Sequence, residues 1–268
     1  MPHIGPSCCG QRLRCIRASQ GDFCGIAFIH YQPIVKLADN QIGGTEALLR
    51  WQHPQRGLLG AEKFVPLLEE TGLIDQVGAW ALGAACAQTH AWHSVGYTHM
   101  WVAVNLSARQ LQRHDLAQVV EAALGQTDLP AHSLVLEITE SIAARKLNGG
   151  LATLERLSDI GAAIAIDDFG TGSALDCLRY FPVRVLKIDR SFVKDLAKGG
   201  DDTAIVRAIV ALAHSLNLVV IAEGVEQAEQ LDVLRSLGVD QAQGHLFSPP
   251  VPAETIISLL QDSGYPFL

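Results

Sequence analysis

From about residue 27 onward, the chain alternates between short apolar runs and longer segments whose apolar residues recur every three or four positions. A short run that ends in a polar residue and a Gly or Ser turn predicts a strand, whereas the longer spacing predicts an amphipathic helix. The chain contains eight such runs: FIHYQPIV, GGTEALLRW, MWVAVNLS, LVLEITE, AAIAIDDFG, VRVLKID, LVVIAEGVE and AQGHLFSPP. The pattern therefore predicts repeated strand-helix units.

The order of these units determines the expected fold. Strands separated by helices favour a parallel sheet, and eight of them around one core favour an α/β protein with a TIM-like (β/α)8 barrel. An open doubly wound sheet is the alternative. The long interval between the second and third runs is expected to hold two helices. We therefore expect a barrel with one irregular strand.

Composition and charge narrow the class of protein. The 268 residues are 49% hydrophobic, which supports a substantial core, and the net charge of −8 disfavours binding to a nucleic-acid polymer or an anionic membrane. The longest apolar runs, such as LVVIA, are far shorter than the roughly 20 residues of a membrane helix, and no signal peptide is recognisable. We expect a cytoplasmic protein without a membrane span.

Six cysteines are present, and four of them lie within the first 24 residues. These four, Cys8, Cys9, Cys15 and Cys24, contain no CxxC pair. A zinc site or a disulfide is therefore less favoured than a poorly ordered segment with free thiols.

Polar residues end the predicted strands, and in a parallel barrel these strand ends meet at one rim. The set is Glu46, Asn105, Glu137, Asp167, Asp168, Lys187, Glu223 and Gln243. Carboxylates brought this close must take up protons or bind cations. Oxygen ligands without Cys or His indicate Mg²⁺ or Mn²⁺, with Ca²⁺ as a competitor. So many acids predict two metal ions, the usual arrangement for displacement at phosphorus.

The stretch DDFGTG places two acids side by side at a strand end. In an ideal strand Asp167 and Asp168 point to opposite faces, so they cannot serve one site unless the strand ends between them. A bend at Gly170 and Gly172 is expected to re-aim Asp168, and a loop with two solvated acids is the alternative. Lys187 is the one cation of the set, and it either balances charge or acts on the attacking water.

The motifs YQPIV, EALLRW, VNLS, LEITE, DDFGTG, LKIDRSFV, AEGVE and QGHLFSPP, in this order, resemble the EAL domain family of cyclic di-GMP phosphodiesterases. The likeness runs from about Phe28 to the C-terminus. It implies a TIM-like barrel in which Mg²⁺ or Mn²⁺ supports hydrolysis of cyclic di-GMP to linear 5'-pGpG, with Ca²⁺ as an inhibitor. It also implies a homodimer.

The resemblance assigns roles to individual residues. The first metal ion would be bound by Glu46, Asn105, Glu137 and Asp167, and the second by Asp167, Asp168 and Glu223. The catalytic residues would be Glu46, Lys187 and Glu223, with the last two near the attacking water. Gln32, Arg50 and Gln243 would contact the substrate. Glu140 would support the loop after DDFGTG, and Glu226 is expected to be solvated or to support a metal ligand rather than to bind a metal directly.

The same resemblance bears on the domain organisation and on the departures from the family. Residues 1–20 are expected to be poorly ordered or helical, because the segment QRLRCIRASQGDF is similar to a helix that often precedes the barrel, and residues 21–268 are expected to form the barrel. GGDEF or sensory domains would be partners if the chain is an excised fragment. The segment after DDFGTG has SAL where the family usually has YSSL, one residue more, and His245 replaces the usual Tyr. The shortened loop leaves a catalytically silent cyclic di-GMP receptor as the main alternative, and an unrelated metal-using barrel enzyme as another.

Overall fold

The structure is a computed structural model that describes residues 13–18, 21–144, 150–172 and 175–261. The strands in these residues are β1 Leu13–Ala18, β2 Gly21–Lys36, β3 Ile42–His53, β4 Gly57–Gly60, β5 Trp101–Asn105, β6 Leu134–Thr139, β7 Ala163–Phe169, β8 Val183–Ile188, β9 Val219–Ala222 and β10 Gln241–Ala242. The α-helices are α1 Val65–Thr71, α2 Ile74–Ser94, α3 Ala108–Leu111, α4 Leu116–Thr127, α5 Glu140–Ala144, α6 Gly150–Ile160, α7 Leu175–Tyr180, α8 Arg190–Lys194, α9 Asp201–Ser215, α10 Ala228–Ser236 and α11 Ala253–Gln261. Short 3-10 helices occupy Ala61–Lys63, Ala131–Ser133 and Leu196–Lys198.

Eight of the strands close into a barrel in the order β2, β10, β9, β8, β7, β6, β5, β3, and β3 pairs again with β2. Neighbouring strands are parallel from β3 round to β10, and β2 is antiparallel to both of its neighbours. The expected TIM-like barrel with one irregular strand is therefore confirmed.

The irregular strand is β2, so the irregularity does not lie at the long interval after β3, where it was expected, although that interval holds the two expected helices, α1 and α2. The reason lies in the connection between β2 and β3. Only residues 37–41 separate the two strands, and Lys36 N donates to Gln41 O across this turn. So short a turn permits only an antiparallel hairpin, because a parallel connection needs a dozen or more residues.

The hairpin of β2 and β3 extends beyond the barrel, and each strand gains a second partner there. β1 pairs with the start of β2, from Leu13 opposite Ala27 to Ala18 opposite Gly21, and β4 pairs with the end of β3. The expectation of a poorly ordered or helical segment is therefore wrong for Leu13–Ala18. The free edge of β2 offers a ladder of backbone partners, and β1 takes them up. Cys8 and Cys9 lie outside the described residues.

Side chains inside the barrel form two layers, because alternate residues of a strand point inward. The lower layer is apolar and consists of Ile34, Ala103, Val135, Ala165, Val185 and Ile221. Below it, the Trp101 ring lies so close to Gly44 that a Cβ there would be 2.3 Å from Cδ2. This layer closes one end of the barrel interior and leaves the next inward positions for the upper layer.

The upper layer is polar and lies at the carboxyl end of the parallel strands. On or just after five of the seven parallel strands, its members follow the apolar layer by two residues: Asn105, Glu137, Asp167, Lys187 and Glu223. On the reversed strand β2 the order is inverted, so Gln32 precedes Ile34 and pairs with Glu46 of β3. The helices pack against the outer face of the sheet. None of the helices in the described part of the chain has the length and hydropathy of a membrane span.

Candidate active site

Lys187 of β8 lies at the centre of the polar layer and is fully buried. Four carboxylates from four different segments surround its Nζ atom: Glu223 Oε1 at 2.6 Å, Glu137 Oε1 at 2.9 Å, Asp167 Oδ1 at 3.3 Å and Glu46 Oε2 at 3.5 Å. Burial alone would lower the pKa of Lys187, but these carboxylates raise it well above its usual value. The lysine is therefore a cation that donates hydrogen bonds.

Amide side chains hold Glu46 in one orientation. Asn105 Nδ2 donates to its Oε1 at 2.7 Å, and Gln243 Nε2 donates to its Oε2 at 2.8 Å. Gln243 Nε2 also donates to Gln32 Oε1 at 2.9 Å, and Gln32 Nε2 donates to the Ser248 carbonyl at 3.1 Å. Burial by itself would raise the pKa of Glu46, but Lys187 and the two amides bring it below its usual value. The carboxylate is thus fixed and ionised.

Glu137 is the least satisfied carboxylate of the cluster. It is buried, and neither of its oxygens has a hydrogen-bond partner among the described residues, although Oε1 is close to Lys187. Burial is the main cause that raises its pKa well above the ordinary value, and the nearby Glu46 and Asp167 add to the rise while Lys187 opposes it. A buried carboxylate whose ion-pair partner is shared with three other acids fits the role of a cation ligand.

Asp168 is re-aimed by its own backbone. Its φ is 57°, in the left-handed region that few residues other than Gly adopt, and the pairing of β7 with β8 shifts register between Ile166 and Phe169. The expectation that Gly170 and Gly172 make the bend is therefore wrong in part. Gly170 does have a φ of 104°, but Gly172 is not among the residues with positive φ. The strained residue is the functional candidate itself.

The bend brings Asp168 to Asp167 and Glu223. One carboxylate oxygen from each of the three lies within 4.8 Å of the other two, a spacing that a single ion could bridge. Burial, followed by the nearby Asp167 and Asp189, raises the pKa of Asp168 to about 6. Burial, opposed by Lys187 and supported by Asp167 and Glu46, raises the pKa of Glu223 to about 8. These carboxylates resist ionisation until a cation neutralises them.

Glu140 binds the turn after Asp168 through two hydrogen bonds. Its Oε2 accepts the backbone N–H groups of Gly170 and Gly172, each at 3.0 Å. Glu140 is itself buried at the first position of α5. Glu140 and the DDFGTG turn are thus brought together, and the supporting role of Glu140 stays a prediction. Residues 173 and 174, where the chain is shortened, lie outside the described residues.

The remaining predicted residues lie away from the lysine cluster. Arg50 shares a face with Glu46 four residues further along β3, roughly 13 Å away in an extended strand, and its Nη1 donates to the Leu49 carbonyl. Burial lowers the pKa of Arg50 from its ordinary value. Glu226 is exposed, as expected. Two residues that the sequence did not single out are Asp189, next to Asp168, and the buried Gln230.

The donor set fits divalent cations that prefer oxygen. It contains carboxylates and amide groups without Cys or His, and it carries more negative than positive charge around Lys187. Apart from its ion pair with Lys187, Glu137 has no hydrogen-bond partner among the described residues. Mg²⁺ and Mn²⁺ take such ligands. Fold and site together define a (β/α)8 barrel protein with an acidic, metal-binding type of centre at the carboxyl ends of its strands.

Comparison with known proteins identifies the family. The family model described as "EAL domain" matches residues 25–250, and the chain belongs to the EAL domain family. The bifunctional diguanylate cyclase/cyclic di-GMP phosphodiesterase MucR of Pseudomonas aeruginosa is 47% identical over 231 residues, which cover 86% of this chain and 34% of the relative. The cyclic di-GMP phosphodiesterase NbdA of the same organism is 43% identical over 234 residues, which cover 87% of this chain and 30% of the relative. The chain thus spans about a third of the length of these relatives.

Solved structures agree with this assignment. The MucR phosphodiesterase in complex with cyclic di-GMP matches with a TM-score of 0.82 and 47% identity, covering 86% of this chain and 94% of that one. The EAL domain of Pseudomonas aeruginosa FimX bound to cyclic di-GMP matches with a TM-score of 0.76 and 27% identity, covering 84% of this chain and 90% of that one. The resemblance predicted from the motifs is confirmed.

Proposed function

We propose that this chain is a metal-dependent phosphodiesterase that hydrolyses cyclic di-GMP to linear 5'-pGpG and so lowers the concentration of this second messenger. The observation that carries the proposal is the convergence of four carboxylates on Lys187, with Glu137 left without hydrogen-bond partners among the described residues. The names of MucR and NbdA, and the cyclic di-GMP in the MucR complex, support the choice of substrate.

Two groups of residues would hold two ions, Mg²⁺ or Mn²⁺. The first group is Glu46, Asn105, Glu137 and Asp167, and the second is Asp167, Asp168 and Glu223. The ions, when bound, would neutralise the phosphodiester and make water a better nucleophile. Ca²⁺ would inhibit, because its larger radius and looser geometry suit a binding site better than a tightly positioned displacement.

The chain's own side chains would bind and orient the substrate. Gln243 Oε1 is buried and has no partner among the described residues, while its Nε2 is fixed by Gln32 and Glu46. Gln243 and Gln32 thus form an ordered amide pair at the edge of the acidic cluster. Arg50, further along the same face of β3, would bind a phosphate of the substrate through its guanidinium.

Lys187 and Glu223 would act on the attacking water. Their atoms Nζ and Oε1 are 2.6 Å apart, so each fixes the position of the other. Lys187, as a buried cation, would donate a hydrogen bond to the water and hold the surrounding carboxylates in place. Glu223 is the carboxylate with the shortest contact to that lysine, and it would accept the hydrogen bond or the proton from the water.

The test is direct. Purified chain is incubated with cyclic di-GMP and Mg²⁺ or Mn²⁺, and the products are separated by liquid chromatography. We expect pGpG from the wild type, a loss of at least about 100-fold in Glu46→Ala, and unchanged turnover in Glu121→Ala, a matched change on the exposed face of α4. Absence of product with either metal would refute the proposal. Tight binding of intact cyclic di-GMP without product would instead support the catalytically silent receptor.

Three further properties stay predictions. We propose a homodimer, a cytoplasmic location, and GGDEF or sensory domains as partners if the chain is an excised fragment. Light scattering across micromolar concentrations checks the first of these. A fully active protein that stays monomeric throughout that range would exclude a required dimer.

A further inference from the structure

The short helix α8 lies behind both of the segments that carry the second group of metal ligands. On one side, its residue Phe192 packs under the DDFGTG turn, so closely that a Cβ at Gly170 would be 2.6 Å from Cε2. On the other side, its residue Arg190 packs under the AEGVE segment, and a Cβ at Gly224 would be 2.5 Å from the Arg190 Cβ. Both glycines have positive φ, 104° and 69°. The positions of the two segments therefore depend on where α8 lies.

One buried side chain ties the far end of α8 to the AEGVE segment. Gln230 of α10 is only 3% exposed, and its Nε2 donates to the carbonyl of Lys194, the last residue of α8, at 3.0 Å. Its Oε1 accepts the backbone N–H groups of Glu226 and Gln227 at 2.8 and 3.0 Å. A single amide thus joins α8 to the loop that begins at Glu223.

The two halves of this amide have different tasks. The accepting oxygen satisfies N–H groups at the start of α10, which is the ordinary capping of a helix and needs no functional explanation. The donating nitrogen makes no contribution to that cap. It reaches across to a different helix, and a buried donor used in this way fixes the distance between two segments.

We propose that Gln230 is a positioning residue for the second metal site. The hydrogen bond to Lys194 holds α8 against the AEGVE segment, and α8 in turn supports the DDFGTG turn, so Glu223 and Asp168 keep the spacing that one ion requires. The first site is built from β3, β5, β6 and β7, and of its residues only Asp167, which both sites share, belongs to the segments that α8 supports. The inference rests on the proposed two-metal function.

The test uses Gln230→Glu, which separates the two halves of the amide. A glutamate keeps the length of the side chain and can still accept both N–H groups, but it cannot donate to the Lys194 carbonyl. Manganese binding is measured by calorimetric titration and by electron paramagnetic resonance. We expect the affinity of the weaker site to fall by about 10-fold or more, as is usual for residues that orient metal ligands, and the affinity of the stronger site to stay within about twofold.

A matched control lies at the opposite end of β9. Asp240 Oδ2 accepts the Val220 N–H at 2.8 Å, so Asp240→Ala also removes a hydrogen bond that fixes this strand. We expect it to lower the melting temperature without changing either manganese affinity. If Gln230→Glu does not fold, Gln230→Met, which has a similar length and forms no such hydrogen bonds, is measured in its place with the same expectation.

The outcomes separate the inference from the proposed function. A wild type that binds two ions, together with a variant that binds them equally well, overturns the role of Gln230 alone. A variant that weakens both sites in parallel with its melting temperature shows a purely structural role and also overturns it. A wild type that binds fewer than two ions refutes the two-metal proposal, and the inference with it.

Discussion

Replacing Lys187 with methionine tests whether the acidic cluster is held together by one charge. The change keeps the length of the side chain and removes only the cation. Four carboxylates within 3.5 Å of Nζ then face one another in a fully buried position. Breaking a buried ion pair by removing one partner costs about 3–5 kcal/mol. Since 1 kcal/mol shifts the melting temperature of a domain of this size by about 2–4 °C, we expect the metal-free variant to melt about 6–20 °C lower at neutral pH.

The same cluster determines how the stability of the protein and of this variant depends on pH. Glu137 and Glu223 already have raised pKa values in the folded protein, whereas unfolded carboxyls titrate near about 4. Between these values the two groups bind more protons in the folded state than in the unfolded state. Their contribution to stability is therefore greatest at low pH and declines as pH rises, by about 1.4 kcal/mol per pH unit for each extra proton. Without Lys187 the pKa values rise further. Lys187→Met should therefore lose more stability at pH 8 than at pH 5.

The assay is thermal unfolding in chelator at both pH values, with and without added Mn²⁺. Lys194→Met, a matched change at an exposed position of α8, is expected to change the free energy of unfolding by less than about 0.5 kcal/mol. Added Mn²⁺ should restore part of the lost stability at pH 8. An equal loss at both pH values, or none at either, would show that Lys187 does not neutralise the cluster.

Three other results are expected. Glu140→Ala removes the acceptor of two N–H groups in the DDFGTG turn and should weaken Mn²⁺ binding about 10-fold in a calorimetric titration, with unchanged affinity arguing against a supporting role. Gly170→Ala places a Cβ on a residue with a φ of 104° and in close contact with Phe192, so it should lower the free energy of unfolding by about 1–3 kcal/mol in a thermal unfolding experiment. Gly83→Ala is the control, because its Cβ would meet nothing within 4 Å, and it should not destabilise the protein. The pKa of Glu223 is raised to about 8, so protons compete with Mn²⁺ for this carboxylate more strongly at pH 5 than at pH 8. Mn²⁺ should therefore raise the melting temperature of the wild type more at pH 8, and a larger increase at pH 5 would contradict this reasoning.

The composition of the site was predictable from the sequence because strand periodicity is strict. Five of the polar residues follow an inward apolar residue by two positions, as Glu137 follows Val135 and Lys187 follows Val185. The rule requires only that the strands be parallel and the barrel closed. It therefore located nearly the whole polar layer without any knowledge of long-range contacts.

The features that the sequence did not predict depend on the direction of a strand, on backbone conformation and on contacts between distant residues. An alternating or apolar strand gives the same pattern in either direction, so the reversal of β2 was visible only in the short turn, where Asn40 has a φ of 58°. The bend at Asp168 was attributed to its glycine neighbours, whereas Asp168 itself has the left-handed conformation, which aspartate adopts more readily than most residues other than glycine. Gln230 lies on a helix, and nothing in local spacing reveals a contact with Lys194, 36 residues earlier.

The alternation of inward and outward residues also determines where the length of this chain can change. A deletion of one residue inside β7 would turn Asp167 toward the helices, and an insertion of one residue would carry Ile166 into the acidic layer, so the count between the apolar and the polar inward residue of this strand is fixed. The turn between β2 and β3 is under the same constraint, because it sets Gln32 opposite Glu46. Connections beyond the strands have no such count. Variation in length, including engineered insertions, is therefore tolerated on the helical side of each strand-helix unit and excluded from the strands that carry the chemistry.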